Sequence, residues 1–302
     1  MKTRLPYFST LFSLPGRELR VFYPTALVAF CFAMFAYTGC KLPNDGVPIY
    51  MKVDSVTVAT TANQGIGSHN ITDVWVEANT DNLGAYGVPA NFPVLQENEV
   101  GFVMTAGIKE TGQSGVRVVY PFYSADTFTI DGVRGTQYTH NPVFEYRQSA
   151  KFALVDDFNS GNSFSLPSDG SASIVSDGNV DPVYGGSRCL KLNVSALDSS
   201  TEVASVNAFD LPEGLEIWLE VDYKAEVPFY IGFNGVFNNG VTLQVPVLFV
   251  NPQAEWSKVY VKLSLLVGQT RADTYKIFFE ALRPYGSTGG NVYIDNIKVV
   301  HF

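Results

Sequence analysis

Apolar and polar residues alternate along most of the chain after residue 47. Segments with a period of two, such as 53–60, 72–78 and 116–120, are typical of half-buried β-strands. Runs of turn-forming residues separate these segments, for example 79–82 and 112–115. No helical period is sustained over a dozen residues in this part of the sequence. The pattern predicts an all-β protein built from antiparallel sandwiches.

The first 39 residues depart from that pattern. Four basic residues precede an apolar run of about 16 residues, 21–36, whereas a bilayer-spanning helix needs about 20. Basic, apolar and then small residues form the order of a secretory signal. The sequence Thr38-Gly39-Cys40 resembles a bacterial lipobox. We therefore expect residues 1–39 to be a lipoprotein signal peptide, Cys40 to carry the lipid, and 40–47 to be a tether. An uncleaved membrane anchor is the alternative.

Removal of such a signal changes the charge and the cysteine count. The full chain has a net charge of −9. Residues 1–39 hold four basic residues and one acidic residue, so the remainder has a net charge of −12. An acidic chain without a basic run lacks the electrostatic footprint of a nucleic-acid-binding protein. Cys189 would be the only cysteine left with a free thiol, so we expect no disulfide.

We predict two β-domains after the tether, at 48–149 and 150–302. In the first, residues 83–89 and 92–95 suggest a hairpin followed by a strand that Pro93 interrupts. This arrangement resembles an immunoglobulin-like β-sandwich. The segments 68–76, 106–112 and 117–123 resemble cell-envelope lipoproteins of Bacteroidota, some of which are subunits of outer-membrane machines.

The second predicted domain carries three marks of a jelly roll. It opens with D-D-F at 156–158, continues with G-G-S-x-x-L-x-L at 185–192 and closes with Y-I-D-N-I-K-V at 293–299. These marks resemble carbohydrate-binding modules of the galactose-binding-like type, which pack two antiparallel sheets face to face. The resemblance implies a structural Ca²⁺ at Asp157 and Asp295, because carboxylate oxygens are the ligands that this ion prefers. Both residues are alternatively ordinary edge or turn residues.

A glycan-binding site needs an aromatic ring for stacking and polar side chains for the hydroxyl groups. The segment 229–240 mixes aromatic rings with asparagines. Its alternation assigns Phe229, Ile231 and Phe233 to the core and Tyr230 to the opposite face. The candidate ligand-binding residues are Tyr230, Asn234, Asn238, Asn239 and Tyr285.

A cluster of rings beside Pro121 offers a different kind of surface. Tyr120, Phe122 and Tyr123 would form an exposed patch for protein contact, since tyrosine is enriched at interface hot spots. The alternative is that these rings fill the core at the end of a strand.

The sequence gives no signal of catalysis. Its three histidines, His69, His140 and His301, have no metal-ligand spacing, and no nucleophile elbow or phosphate-binding glycine loop is present. Asp156 and Asp157 are adjacent and would point to opposite faces of a strand, so they cannot form a glycosidase pair by themselves.

We therefore predict a non-enzymatic, lipid-anchored protein of the outer membrane that is exposed at the cell surface. Its predicted role is that of a binding or accessory subunit in an outer-membrane complex with other envelope proteins. The alternative is a surface lipoprotein that binds a glycan through the jelly roll. A third hypothesis is a glycosidase or an accessory to polysaccharide hydrolysis.

Overall fold

Strands supply most of the regular structure in the computed structural model, which describes residues 46–112, 115–176 and 188–302. The predicted signal peptide and Cys40 lie outside these residues. Residues Val47–Phe302 form one compact unit. Within the described part of the chain, no helix is both long and apolar enough to cross a bilayer. The all-β prediction is confirmed.

The first half of this unit, residues 47–150, is built from three small sheets. β3, β4 and β6 form a sheet with β7 and β8, which both pair with the second edge of β6. The order β5-β1-β9 makes a second sheet and the pair β10-β2 a third. The strands are β1 (Ile49–Val53), β2 (Thr57–Ala59), β3 (Asp73–Ala78), β4 (Asp81–Gly87), β5 (Ala90–Val94), β6 (Asn98–Lys109), β7 (Arg117–Val119), β8 (Asp126–Gly132), β9 (Gln137–Thr139) and β10 (Val143–Glu145). The immunoglobulin-like assignment of this half stays a prediction.

The second half, residues 151–302, is a sandwich of two antiparallel sheets, as a jelly roll requires. One sheet has the order β12-β13-β20-β15-β18, with β11 also paired to β20, and the other has the order β14-β19-β16-β17. The elements are β11 (Lys151–Asp156), β12 (Ala172–Ser176), β13 (Arg188–Val194), β14 (Ser200–Ala204), β15 (Ile217–Ala225), β16 (Phe229–Val236), β17 (Thr242–Val250), β18 (Gln253–Lys262), α1 (Ser264–Thr270), β19 (Thr274–Leu282) and β20 (Gly290–His301).

The core of the second half lies between its two sheets. The larger sheet contributes residues such as Leu219 and Val299, and the smaller sheet contributes Phe229, Ile231 and Phe233, all without solvent exposure. This burial follows from the alternation of apolar residues along each strand. The other face of the larger sheet packs against the first half.

The two halves share a hydrophobic cluster. Trp218, Tyr260 and Val300 of the second half belong to the same cluster as the apolar residues of the first half. The boundary predicted near residue 150 falls in the connection between β10 and β11. Whether each half is a separate domain stays a prediction.

The predicted exposed patch at residues 120–123 is wrong. Tyr120, Phe122 and Tyr123 are at most 2% exposed. The ring of Tyr120 lies 5.6 Å from that of Trp218, and the ring of Phe122 lies 4.6 Å from that of Phe302. Pro121 does follow the end of β7, but the second half covers the rings beside it. These residues are an internal contact between the two halves.

Candidate functional site

The outward face of the four-stranded sheet β14-β19-β16-β17 is the best candidate site. β16 alternates as predicted, with Phe229, Ile231 and Phe233 in the core. Tyr230 and Asn234 therefore lie on the opposite face, away from the sandwich interior. Tyr230 is half-buried there and keeps part of its ring available to a ligand.

Four side chains form one row across this face. Tyr230 pairs in register with Phe249 on β17 and with Glu280 on β19, and Glu280 pairs with Glu202 on β14. The rings of Tyr230 and Phe249 meet edge to face with centroids 5.2 Å apart. Phe249 is 46% exposed, so its ring is accessible from solvent. The row thus sets two accessible rings beside two carboxylates.

The face is concave. Gln244 on one edge strand, β17, donates from Nε2 to Glu202 Oε2 on the other edge strand, β14, at 2.7 Å. β16 and β19 lie between these strands, and neighbouring strands are about 4.8 Å apart, so only a strongly curved sheet allows this contact. This hydrogen bond passes over Phe278 of β19, which is in register with Gly232 on β16 and is 1% exposed.

Gly232 lies beside Phe278 on the concave face, where there is no room for a side chain. A Cβ at this position would overlap both the ring of Phe278 and the carbonyl oxygen of Val245. The register between β16 and β17 shifts beside it, between Ile231 and Gly232. Bulges of this kind bend a strand and increase its twist. The bend in β17 accounts for the contact that its residue Gln244 makes with Glu202 on β14.

The other candidate ligand residues do not join the row. Asn238 donates from its backbone N and from Nδ2 to Asp273, each at 2.7 Å, and Asn239 Oδ1 accepts from Val241 N. Both shape the turn after β16, about 20 Å along the strand from Tyr230. Tyr285 is fully exposed in the loop after β19. Of the five candidates, Tyr230 and Asn234 share the concave face.

Sequence reasoning missed Phe249, Gln244, Glu202 and Glu280. β17 reads T-L-Q-V-P-V-L-F-V and is apolar at positions of both parities, so its pattern does not say which side chains face outward. The register shift beside Gly232 also changes which residues of β17, odd-numbered or even-numbered, face outward on its two sides. Glu202 and Glu280 alternate with buried residues on β14 and β19, and this signal could have placed them outward.

The structure brings the predicted metal ligands near each other. Asp295 is fully buried, and its Oδ2 has no hydrogen-bond partner, while Oδ1 accepts from Asn296 N at 2.7 Å. Burial, together with the smaller repulsion from the carboxylates of Asp222, Asp157 and Asp156, raises the pKa of Asp295 to about 8. A buried carboxyl oxygen without a partner among other carboxylates is an arrangement that a cation would stabilise.

The ligand set around Asp295 is nevertheless small. Both oxygens of Asp156 accept backbone N–H groups, from Phe158 at 2.9 Å and Ser163 at 2.6 Å, and Asp157 Oδ1 accepts from Asn159 N. The described ranges contain no group of three or more acidic, histidine or cysteine side chains that could hold a metal. Ca²⁺ at Asp157 and Asp295 stays a prediction.

No family model matches the chain, and no curated protein matches it. Several similar solved structures are carbohydrate-binding modules. The xylan-binding domain of family 22 is 16% identical over 51% of this chain and 96% of its own, with a TM-score of 0.33. The family 11 module from Clostridium thermocellum, in complex with a β-1,3-1,4-mixed-linked tetrasaccharide, is 16% identical over 50% and 94%, with a TM-score of 0.34.

Other similar structures contain an enzyme, among them the enzymatically active domain of bacteriophage CBA120 tailspike protein 4, which is 12% identical over 56% of this chain with a TM-score of 0.37. The CBM22-1–GH10 modules of Clostridium thermocellum xylanase 10B, complexed with xylohexaose, are 17% identical over 49% of this chain, with a TM-score of 0.37. The match spans 28% of that protein. At such identities the likeness concerns the fold alone.

Proposed function

We propose that the protein binds an uncharged glycan on the concave face of the four-stranded sheet. The observation that carries the proposal is the row Glu202–Glu280–Tyr230–Phe249. The rings of Tyr230 and Phe249 would stack against the apolar C–H face of a sugar, and the two carboxylates and the Gln244 amide would hydrogen-bond its hydroxyl groups. Pockets for small ligands combine an apolar floor with a few placed polar groups in this way.

The charge of the site favours a neutral ligand. Two carboxylates flank the rings, and the chain as a whole is acidic. A polyanionic glycan would be repelled by both. Binding is preferred to hydrolysis as the role, because Glu202 is exposed to solvent, whereas a glycosidase acid needs an apolar environment.

The residues predicted to contact other envelope proteins in the accessory-subunit hypothesis are buried. The rings at 120–123, which were its predicted contact surface, are used inside the chain. Glycan binding is therefore the function that the geometry of the described residues supports best.

The test is affinity electrophoresis of the full chain against three neutral oligosaccharides, each coupled to the gel matrix. The panel is xylohexaose, a β-1,3-1,4-mixed-linked tetrasaccharide and β-1,4-galactotriose. We expect Tyr230→Ala and Phe249→Ala each to weaken binding of at least one member by about tenfold, a loss of about 1.4 kcal/mol. Tyr50→Ala is the matched control, since Tyr50 is 39% exposed in the first half. No retardation of the wild-type chain, or equal retardation of all variants, contradicts the proposal.

Two further measurements complete the assignment. Tyr285→Ala in the same gels decides whether the loop after β19 extends the site. The same samples are analysed for released reducing ends, which a binding protein does not produce.

A lipid anchor would set this site at a membrane surface. We propose that Cys40 is acylated and holds the protein to the outer membrane, on the strength of the lipobox-like Thr38-Gly39-Cys40. Partition of the wild-type chain into detergent, and of a Cys40→Ala variant into the aqueous phase, is the expected result. Equal partition would contradict it.

A further inference from the structure

We propose that the outward face of the sheet formed by β3, β4, β6, β7 and β8 carries a second binding groove for an uncharged oligosaccharide, with Trp75 at one end. This groove lies in the first half of the unit and uses none of the residues of the concave face. The proposal therefore stands or falls separately from the function proposed above.

Strand β6 forms the floor of the groove with small side chains. Its outward positions Gly101, Val103, Thr105 and Gly107 alternate with buried core residues. The six residue steps from Gly101 to Gly107 give the floor a length of about 20 Å. A floor of this composition leaves room above the sheet because none of its side chains is large.

Two open depressions lie along this floor. One, of about 400 Å³, is lined by Asn79, Gly101, Phe102, Val103, Thr127, Phe128 and Thr129. The other, of about 250 Å³, is lined by Trp75, Val76, Glu77, Asn82, Thr105 and Val119. Val103 of the first depression pairs in register with Glu77 of the second. The two depressions are therefore neighbours on this face, and together they form the proposed groove.

A buried carboxylate fixes the indole of Trp75. Trp75 Nε1 donates to Asp73 Oδ1 at 2.9 Å, and Asp73 Oδ2 accepts from Thr72 Oγ1 at 2.8 Å. The guanidinium of Arg117 lies 3.5 Å from the same Oδ2. Asp73 has no solvent exposure although it lies on the outward face. Burial of a carboxylate costs free energy unless the group is paired and hydrogen-bonded. Asp73 has such partners, and its hydrogen bond to Nε1 holds the indole of Trp75 in one orientation.

Gly107 is the residue that makes this arrangement possible. A Cβ there would overlap Asp73 Oδ1 and would come within 2.9 Å of Trp75 Nε1. Strand β6 therefore has a glycine at the position that faces the hydrogen bond between Asp73 and Trp75. Trp75 is half-buried and shares the outward face with Asp73 and Glu77, as the alternation of β3 requires.

The main-chain hydrogen bonds of β6 are used on both edges of the strand, which disfavours a peptide as the ligand. β6 pairs with β3 along one edge and with β7 and β8 along the other. Peptides that bind sheets usually add a strand to an exposed edge and use main-chain hydrogen bonds. A ligand above this face must be recognised by side chains alone.

The side chains present suit the hydroxyl groups of a sugar. The groove offers the hydroxyls of Thr105, Thr127 and Thr129, the amide of Asn82 and the carboxylate of Glu77, beside an indole for stacking. The guanidinium of Arg117, which lies beside the carboxylate that holds Trp75, is already paired with Asp73. This composition favours a neutral, extended oligosaccharide.

The test uses two variants that change the groove in different ways. Trp75→Ala removes the ring. Gly101→Val fills the groove, and the new Cβ would lie 3.7 Å from Asn79 Oδ1, an ordinary contact. Valine is a good strand former, so this variant should fold at least as well as the wild type. Gly161→Val is the matched control, because open space surrounds that glycine.

Each variant is made in the full chain that already carries Tyr230→Ala, and affinity electrophoresis uses the same three oligosaccharides. We expect the Tyr230→Ala chain to retain binding of at least one member. Trp75→Ala and Gly101→Val should each weaken that residual binding at least tenfold, and Gly161→Val should not. Loss of all binding with Tyr230→Ala alone, or residual binding that neither groove variant changes, overturns the proposal. If instead Tyr230→Ala has no effect and Gly101→Val abolishes binding, the groove stands and the concave-face function fails.

Discussion

Lys258 Nζ lies 3.0 Å from Glu220 Oε2, and neither side chain is more than 2% exposed. The hydroxyls of Tyr120 and Tyr146 donate to Glu220 Oε1 at 2.7 Å and 2.6 Å. Lys258 in turn donates to Ser68 Oγ at 2.9 Å. The ion pair belongs to the second half of the unit and the three hydroxyls belong to the first, so a buried polar network joins the two halves.

Glu220→Gln should destabilise the protein strongly. The substitution keeps the shape of the side chain but leaves the buried ammonium of Lys258 with one carboxylate, that of Asp222 at 3.6 Å. Removal of one partner from a buried ion pair costs about 3–5 kcal/mol. Urea denaturation of the variant and the wild type measures this loss in the free energy of unfolding.

The matched control is Asp54→Asn. Asp54 pairs with Lys52, but both side chains are well exposed, and such pairs contribute about 0–1 kcal/mol. A similar free energy of unfolding for Glu220→Gln and the wild type would contradict the burial of this network.

Phe122→Ala distinguishes an internal contact from an exposed patch. Phe122 has no solvent exposure and packs against Phe302, so the substitution should cost about 3–5 kcal/mol. Thermal unfolding of the full chain provides the measurement. A change in the free energy of unfolding below about 0.5 kcal/mol would mean that the ring is exposed, as the sequence pattern beside Pro121 first indicated.

Asp295→Asn should stabilise the protein in a pH-dependent way. The pKa of Asp295 is about 8 in the folded chain, against an ordinary value of 3.8. Between these values the unfolded chain ionises Asp295 while the folded chain keeps it protonated. Stability from this group is therefore fully present below pH 3.8 and is lost as the pH rises towards 8, at about 1.4 kcal/mol per unit. Asparagine removes this loss, so the variant should exceed the wild type at pH 8 and approach it at pH 4. An equal difference at both pH values would contradict the raised pKa.

Calcium tests the metal prediction with the same pair of proteins. A bound cation would stabilise the ionised carboxylate of Asp295, so millimolar CaCl₂ at pH 8 should raise the Tm of the wild type and leave Asp295→Asn unchanged. Magnesium chloride at equal ionic strength controls for screening. If calcium moves neither Tm, Asp295 acts as a buried carboxylic acid and the metal prediction is wrong.

Local pattern was sufficient for the fold class and for one strand of the site. The alternation around Tyr230 placed it opposite Phe229 and Phe233, and the structure agrees. The turn residues at 79–82 mark the boundary between β3 and β4, but the predicted strand 53–60 is broken at 54–56, between β1 and β2. The pairing of β14 with β19, and hence the neighbours of Tyr230, depends on contacts between segments distant in sequence. No local pattern encodes them.

The error at residues 120–123 has a physical origin. Tyr120 and Phe122 looked available because a proline lies between them, but their burial depends on the second half, as the contact of Phe122 with Phe302 shows. The exposure of these rings is decided by partners that are remote in the chain.

A crystal structure of the full chain with the panel oligosaccharide that it binds most tightly tests directly whether the concave face binds glycan. We expect sugar density on the concave face, with a ring stacked on Phe249 or Tyr230 and hydroxyl groups within hydrogen-bond distance of Glu280 or Glu202. Density elsewhere on the molecule with this row empty, or a chain that binds no member of the panel, would contradict it.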